Sequence, residues 1–157
     1  MKINPEIFKA YDIRGKYPQD LNEKVAYKIG QAYVKFLDKP KMKIAVGFDM
    51  RSSSPSLFQS LTKGIRDQGA KVVDIGLATT PMLYFSVIQY GLDGGINITG
   101  SHTPQYHNGF KLVREKAIPI SGDSGIEDIK RLTEADFKSK KVGKISKKNV
   151  LKSYIEY

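Results

Sequence analysis

Apolar residues between positions 22 and 48 follow two different periods, which predict first a helix and then a strand. Over 25–37 they recur every three or four residues, giving the single apolar stripe of a helix packed on a core. Asn22 stands where an N-cap is expected, and Pro40 closes the segment off. Over 42–48 the apolar run is continuous, which favours a strand buried on both faces.

The same alternation of periods continues along the chain to about residue 132. Residues 8–18 favour a loop or a short extended segment, further helices are predicted over 55–69, 80–90 and 123–132, and further strands over 71–75, 95–99 and 110–113. Repeating β-α-β units predict an α/β fold, a three-layer α/β/α sandwich with a mixed, mostly parallel sheet. The strand at 110–113 is expected to run antiparallel to the one at 95–99, because a connection of about ten residues can reverse the chain.

Polar residues whose side chains could take part in catalysis lie close together between positions 97 and 111. The strand predicted at 95–99 leads into Gly100, Ser101 and His102, and the turn signal Asn108-Gly109 precedes Lys111. Gly100 permits a tight turn, which would present the Ser101 hydroxyl at the carboxyl end of a strand, where open α/β sheets bind ligands. A serine after glycine is also a common turn residue, and the local pattern leaves both interpretations open.

Two motifs in this sequence resemble those of the α-D-phosphohexomutases, the phosphomannomutase/phosphoglucomutase family. The segment TGSHTP at 99–104, with NGFK at 108–111, is similar to the family's phosphoserine loop, including the ten positions from Ser101 to Lys111. The segment FKAYDIRG at 8–15 resembles the family's opening signature. One departure is Thr103, which stands where the family usually has asparagine and so keeps a hydroxyl but lacks the amide donor.

The resemblance implies a phosphoryl-transfer site. Ser101 would carry the phosphate and, through it, contribute an oxygen ligand to one Mg²⁺ ion. Lys111 and Arg14 would stabilise charge and assist proton transfer, His102 would act as base, acid or loop anchor, and Tyr11 with Arg14 would face the phosphosugar substrate. The implied reaction interconverts hexose 1-phosphate and 6-phosphate, of mannose or glucose, with a hexose 1,6-bisphosphate as activator and intermediate. Phosphoryl transfer of this kind depends mainly on positioning and on cations around the developing charge.

A third resemblance concerns Arg51, in Asp49-Met50-Arg51, which is similar to a D-x-R motif of the family. Arg51 could pair with the phosphate loop or brace that loop through a carboxylate, and both roles stay open here. The family's magnesium loop, D-G-D-x-D-R, does not occur in this sequence. We therefore expect residues 1–138 to be the first domain, residues 139–157 to be a basic linker and the start of a second domain, and the chain alone to be inactive.

The net charge of +10 raises the alternative of a basic nucleic-acid- or protein-binding module without catalysis. Seven lysines lie between positions 136 and 157 without the interleaved aromatic residues of base-stacking proteins, so we expect no nucleic-acid partner. The absence of cysteine excludes disulfides and thiolate sites, and no apolar run approaches the ~20 residues of a membrane span. A cytoplasmic protein without membrane contacts is the expectation.

Overall fold

The computed structural model describes residues 1–157, which form a six-stranded sheet covered by helices on both faces. The strands are β1 (Ile13–Lys16), β2 (Lys43–Phe48), β3 (Lys71–Leu77), β4 (Gly94–Ile98), β5 (His107–Arg114) and β6 (Ile145–Lys147). The helices are α1 (Glu23–Leu37), α2 (Ser54–Asp67), α3 (Thr80–Gln89), α4 (Glu127–Thr133) and α5 (Leu151–Ile155). None of the helices combines the length and apolar character needed to cross a membrane.

The order of strands across the sheet is β1-β5-β4-β2-β3-β6. Strand β2 pairs in parallel with β3 and β4, and β3 pairs in parallel with β6. Strand β5 runs antiparallel to both β4 and β1. The predicted three-layer sandwich with a mixed, mostly parallel sheet is confirmed, and so is the antiparallel return after β4.

Two hydrophobic clusters lie on the two faces of the sheet. The larger one includes buried residues of α1, α2 and α4, and the smaller one includes buried residues of α3 and Val150. Helices α1 and α2 approach closely because each has a glycine at the crossing. A Cβ at Gly30 would lie 2.3 Å from the Leu61 carbonyl, and one at Gly64 would lie 2.2 Å from the Tyr27 carbonyl.

Local signals explain most of the helix boundaries. The Asn22 side chain accepts hydrogen bonds from two backbone N–H groups of the first turn of α1, as predicted. The helix predicted over 123–132 starts later, at Glu127, because Gly122–Ile126 form one wide turn in which Gly125 has φ +150°. A side chain at Gly125 would collide with the ring of Phe36, at 2.3 Å from its Cζ.

The last nineteen residues contact the rest of the molecule through the sheet and the smaller cluster. Strand β6 adds an edge to the sheet beside β3, and Val150 is fully buried. Strand β6 could not be predicted from the sequence, because all three of its residues are exposed and give no apolar period. The division of the chain into 1–138 and 139–157 stays a prediction.

Candidate active site

The serine loop, residues 99–107, follows β4 at the carboxyl edge of the parallel strands. Ser101 is exposed on this loop and has φ +51°, a left-handed conformation that few residues other than glycine adopt. The prediction that Gly100 has the unusual backbone angles is wrong, since Ser101 itself has the positive φ. Its Oγ lies 3.0 Å from Nδ1 of His102. The loop therefore presents a serine hydroxyl and an imidazole nitrogen together to solvent.

Local hydrogen bonds within the loop hold this turn in place. The backbone N–H of Ser101 donates to the Thr99 hydroxyl at 2.9 Å, and the N–H of Thr103 donates to the Gly100 carbonyl at 3.0 Å. The hydroxyl of Thr103 donates to the same carbonyl. The side chain that departs from the family pattern is therefore used to close the turn.

Arg14 reaches the serine loop from strand β1. Its Nε and Nη2 donate to the Asp12 carboxylate at 2.9 and 2.8 Å, and its Nη1 donates to the Gly100 carbonyl at 2.7 Å. The structure thus brings Arg14 into contact with the residue before Ser101. Its side chain is 18% exposed, so Arg14 is mostly buried beside the loop.

Lys111 and Tyr11 meet at a neighbouring point of the same edge. Lys111 lies on β5 opposite Asn97 of β4, and its Nζ donates to the Tyr11 carbonyl at 3.1 Å. Tyr11 is 72% exposed. The side-chain hydrogen bond of Lys111 therefore goes to Tyr11 and not to Ser101, and a direct role of Lys111 at the serine stays a prediction.

The turn predicted at Asn108-Gly109 is wrong, because both residues lie within β5. Gly109 is needed there for the close approach of β1, since a Cβ would lie 2.3 Å from the Ile13 carbonyl. The buried Asn108 side chain donates to the hydroxyls of Ser53 and Ser54 at 2.8 and 2.9 Å. Asn108 thus joins β5 to the start of α2, beneath the serine loop.

Asp49, which the sequence indicated only as part of a motif, connects that buried group to the loop. One carboxylate oxygen accepts from the Ser54 hydroxyl at 2.6 Å and from the Arg51 backbone N–H at 3.0 Å. The other accepts from the Gly100 backbone N–H at 3.0 Å. Burial opposes ionisation of this carboxyl, but these hydrogen bonds, with one from Thr99, outweigh it and hold the pKa of Asp49 below its ordinary value.

A crevice of about 690 Å³ opens beside Ser101 at the carboxyl ends of β2, β3 and β4. Its walls include Thr79, Thr80 and the exposed apolar side chains of Met50 and Leu77. Asn97 also lines the crevice, but its Oδ1 is buried and has no hydrogen-bond partner. The crevice therefore has an apolar rim beside the exposed Ser101.

The side chains of this chain do not form a magnesium site by themselves. No group of three or more His, Asp or Glu side chains is placed to hold a metal ion. Asp49, the carboxylate hydrogen-bonded to the loop, already uses both oxygens on Ser54, Arg51 and Gly100.

The fold and the loop define an α/β domain with an exposed serine hydroxyl at the carboxyl edge of its sheet. Comparison with known proteins identifies the family of this domain. Residues 5–140 match the family described as phosphoglucomutase/phosphomannomutase, alpha/beta/alpha domain I. The chain belongs to the phosphoglucomutase/phosphomannomutase family. This confirms the resemblance carried by the segments at 8–15, 99–104 and 108–111.

Individual relatives agree with this assignment. A phosphomannomutase of Escherichia coli is 49% identical over 154 residues, which are 96% of this chain and 33% of that protein. A phosphomannomutase of Klebsiella pneumoniae is 49% identical, with 95% of this chain and 96% of that relative covered. The crystal structure of a phosphoglucomutase/phosphomannomutase family protein from Burkholderia thailandensis superposes with a TM-score of 0.88 and 35% identity, covering 99% of this chain and 35% of that one. The chain spans about a third of the length of the Escherichia coli relative.

Proposed function

We propose that this chain is the phosphoserine-bearing domain of a longer phosphohexomutase, which interconverts hexose 1-phosphate and hexose 6-phosphate through a bisphosphorylated sugar. The observation that carries the proposal is Ser101, exposed on a left-handed turn at the carboxyl end of β4 with His102 Nδ1 3.0 Å from its hydroxyl. Strained backbone of this kind, at a cost of roughly 1–3 kcal/mol, persists where the surrounding structure fixes it and is common at functional sites. Family membership supports the reaction class.

In the proposed reaction the phosphoryl group moves between Ser101 and a sugar hydroxyl. The P–O bond to Ser101 Oγ breaks while a new P–O bond forms to the sugar oxygen, and the proton of that hydroxyl passes to a base. The return transfer reverses these steps with the other sugar phosphate. His102 is placed to donate to or accept from Ser101 Oγ, and an unassisted serine hydroxyl is a weak nucleophile, so such help is required.

Arg14 and Lys111 supply positive charge beside the loop in this proposal. Arg14 is fixed by Asp12 and by the Gly100 carbonyl, so its charge stands next to the phosphorylated residue without being free to move. Lys111 is a more adaptable single ammonium group on β5, and Tyr11 exposes its ring for a sugar. Cations around the transferred group are the main protein contribution to phosphoryl transfer.

We propose that Mg²⁺ and the sugar-reading groups are contributed by further domains of the parent protein, with a hexose 1,6-bisphosphate as activator. The metal, when bound, would neutralise charge on the phosphate of Ser101. The chain alone lacks a carboxylate cluster that could hold the ion. We therefore expect no mutase activity from the isolated chain.

The experiment is Ser101→Ala in the parent protein, assayed for conversion of hexose 1-phosphate to hexose 6-phosphate. Turnover is expected to fall to the background of the assay, while circular dichroism of the domain stays unchanged because the Ser101 side chain is exposed. The matched control is Ser146→Ala, a second exposed serine on the edge strand β6. Activity of Ser101→Ala within tenfold of the wild type would exclude Ser101 as the obligatory phosphoryl carrier.

A further inference from the structure

The guanidinium of Arg51 lies under the serine loop, facing backbone carbonyls rather than solvent. Its side chain is only 14% exposed. Four carbonyl oxygens accept from its two terminal nitrogens at 2.6 to 3.0 Å, those of Ser101, Thr103, Pro104 and His107. The remaining nitrogen, Nε, lies 3.3 Å from the Asp49 carboxylate. Because a guanidinium has five N–H groups, these acceptors account for all of them.

Asp49 and Gly100 complete this arrangement on the other side. The carboxylate oxygen of Asp49 that faces Nε also accepts from the Gly100 backbone N–H. Gly100 lies directly against the guanidinium, since a Cβ there would be 2.1 Å from Cζ and Nε of Arg51. The loop is therefore held through its carbonyls by Arg51 and through the Gly100 amide by Asp49.

We propose that Asp49 and Arg51 are positioning residues that pre-shape the serine loop, and that Arg51 is not a phosphate ligand. The four carbonyl oxygens that face Arg51 require a cation with several donors in fixed directions. The planar guanidinium of arginine supplies such donors, and a single ammonium group does not. The left-handed turn at Ser101 persists because the residues on both sides of it are fixed. The consequence for phosphoryl transfer rests on the proposed function, whereas the shape of the loop does not.

The first test measures the loop itself in this chain by amide hydrogen exchange. Arg51→Lys keeps the charge but loses most of the carbonyl contacts, so the amides of Gly100, Thr103 and His107, all hydrogen-bonded in the loop, should exchange at least about tenfold faster. Amides in β2 should not change. The matched control is Arg66→Lys, which alters a partly buried arginine that donates to the Gly143 carbonyl at 2.8 Å, far along the chain from the loop.

Asp49→Asn provides a second route if Arg51→Lys does not fold. It keeps the side-chain volume and removes the charge opposite Nε, so loop exchange should again rise selectively, by a smaller factor. Unchanged exchange of the three loop amides in both variants would overturn the proposal. A shift of the Arg51 Nε–H resonance on titration with inorganic phosphate would also overturn it, because it would show that the guanidinium is open to the anion.

The second test measures turnover in the parent protein. A positioning role predicts that Arg51→Lys lowers kcat at least about tenfold while KM for the phosphosugar stays within about twofold, since no substrate contact is lost. A raised KM at unchanged kcat would contradict it. If Arg51→Lys loosens the loop but Ser101→Ala retains activity, the proposed function is wrong, whereas the positioning role of Arg51 is still supported.

Discussion

Gly100→Ala tests whether the packing of Gly100 on Arg51 is what holds the serine loop. The new Cβ would lie 2.1 Å from Cζ and Nε of Arg51 and 2.7 Å from Nη1, whereas ordinary contacts begin at about 3.4 Å. Relief requires the guanidinium to move by about an ångström, which removes it from carbonyls that it now reaches at 2.6 to 3.0 Å. Overpacking and the loss of charged hydrogen bonds together should lower the free energy of unfolding by about 2–4 kcal/mol.

The assay is urea denaturation of the four proteins of a double-mutant cycle. In an Arg51→Ala background the obstructing side chain is gone, so Gly100→Ala should cost less than about 1 kcal/mol, and the coupling should exceed about 1 kcal/mol. Gly91→Ala is the control, because Gly91 has φ +56° and nothing within 4 Å of an added Cβ. Its cost of about 1–2 kcal/mol should be equal in both backgrounds. An equal cost of Gly100→Ala in both backgrounds would refute the reasoning.

Two further predictions concern charge. Asp49→Asn should lower the free energy of unfolding by about 1–3 kcal/mol at pH 7. The folded pKa of Asp49 lies below its ordinary value, so the stabilisation is present above about pH 4 and the difference from the wild type should shrink as pH falls through the folded pKa, measured by denaturation at pH 7 and pH 3. Lys71→Glu should raise stability by about 0.2–1 kcal/mol at low salt, because Lys71 pairs with Lys43 of β2, lines the same surface as Lys144 just before β6, and makes no ion pair.

Controls separate these effects from general changes of charge. An Asp49→Asn effect on the free energy of unfolding that does not shrink between pH 7 and pH 3 would contradict the assignment. The gain in stability from Lys71→Glu should fall in 1 M NaCl, because salt screens exposed charges. At low salt this gain should exceed the gain in stability from Lys138→Glu. An equal gain at both positions would show that only net charge matters.

The sequence predicted those parts of the fold that depend on local pattern. Asn22 and the apolar stripe of α1 defined that helix to within a residue, and the continuous run at 42–48 gave β2. Strand β6 was not predicted, because an exposed edge strand has no apolar period. Asn108-Gly109 resembled a turn because the reason for the glycine is the neighbouring strand β1, about 95 residues earlier in the chain.

Only those residues of the candidate site that belong to short sequence motifs could be predicted. Spacing and resemblance predict Ser101, His102 and Lys111 as site residues, and in the structure the Ser101 Oγ lies 3.0 Å from Nδ1 of His102. The roles of Asp49 and Asn108 at the serine loop could not be seen locally, because Asp49 accepts from Gly100, 51 residues away, and Asn108 donates to Ser53, 55 residues away. The left-handed turn at Ser101 depends on those distant contacts too, which is why the neighbouring glycine appeared to be the unusual residue.

The central claim is that Ser101 receives and donates the phosphoryl group, and peptide mass spectrometry tests it most directly. The parent protein would be incubated with Mg²⁺ and a hexose 1,6-bisphosphate, digested, and the peptide containing Ser101 weighed before and after a chase with hexose 1-phosphate. The account predicts one phosphate on Ser101 that is lost to the sugar in the chase and is absent from Ser101→Ala. A phosphate on another residue, or none at Ser101 while the enzyme turns over, would contradict it.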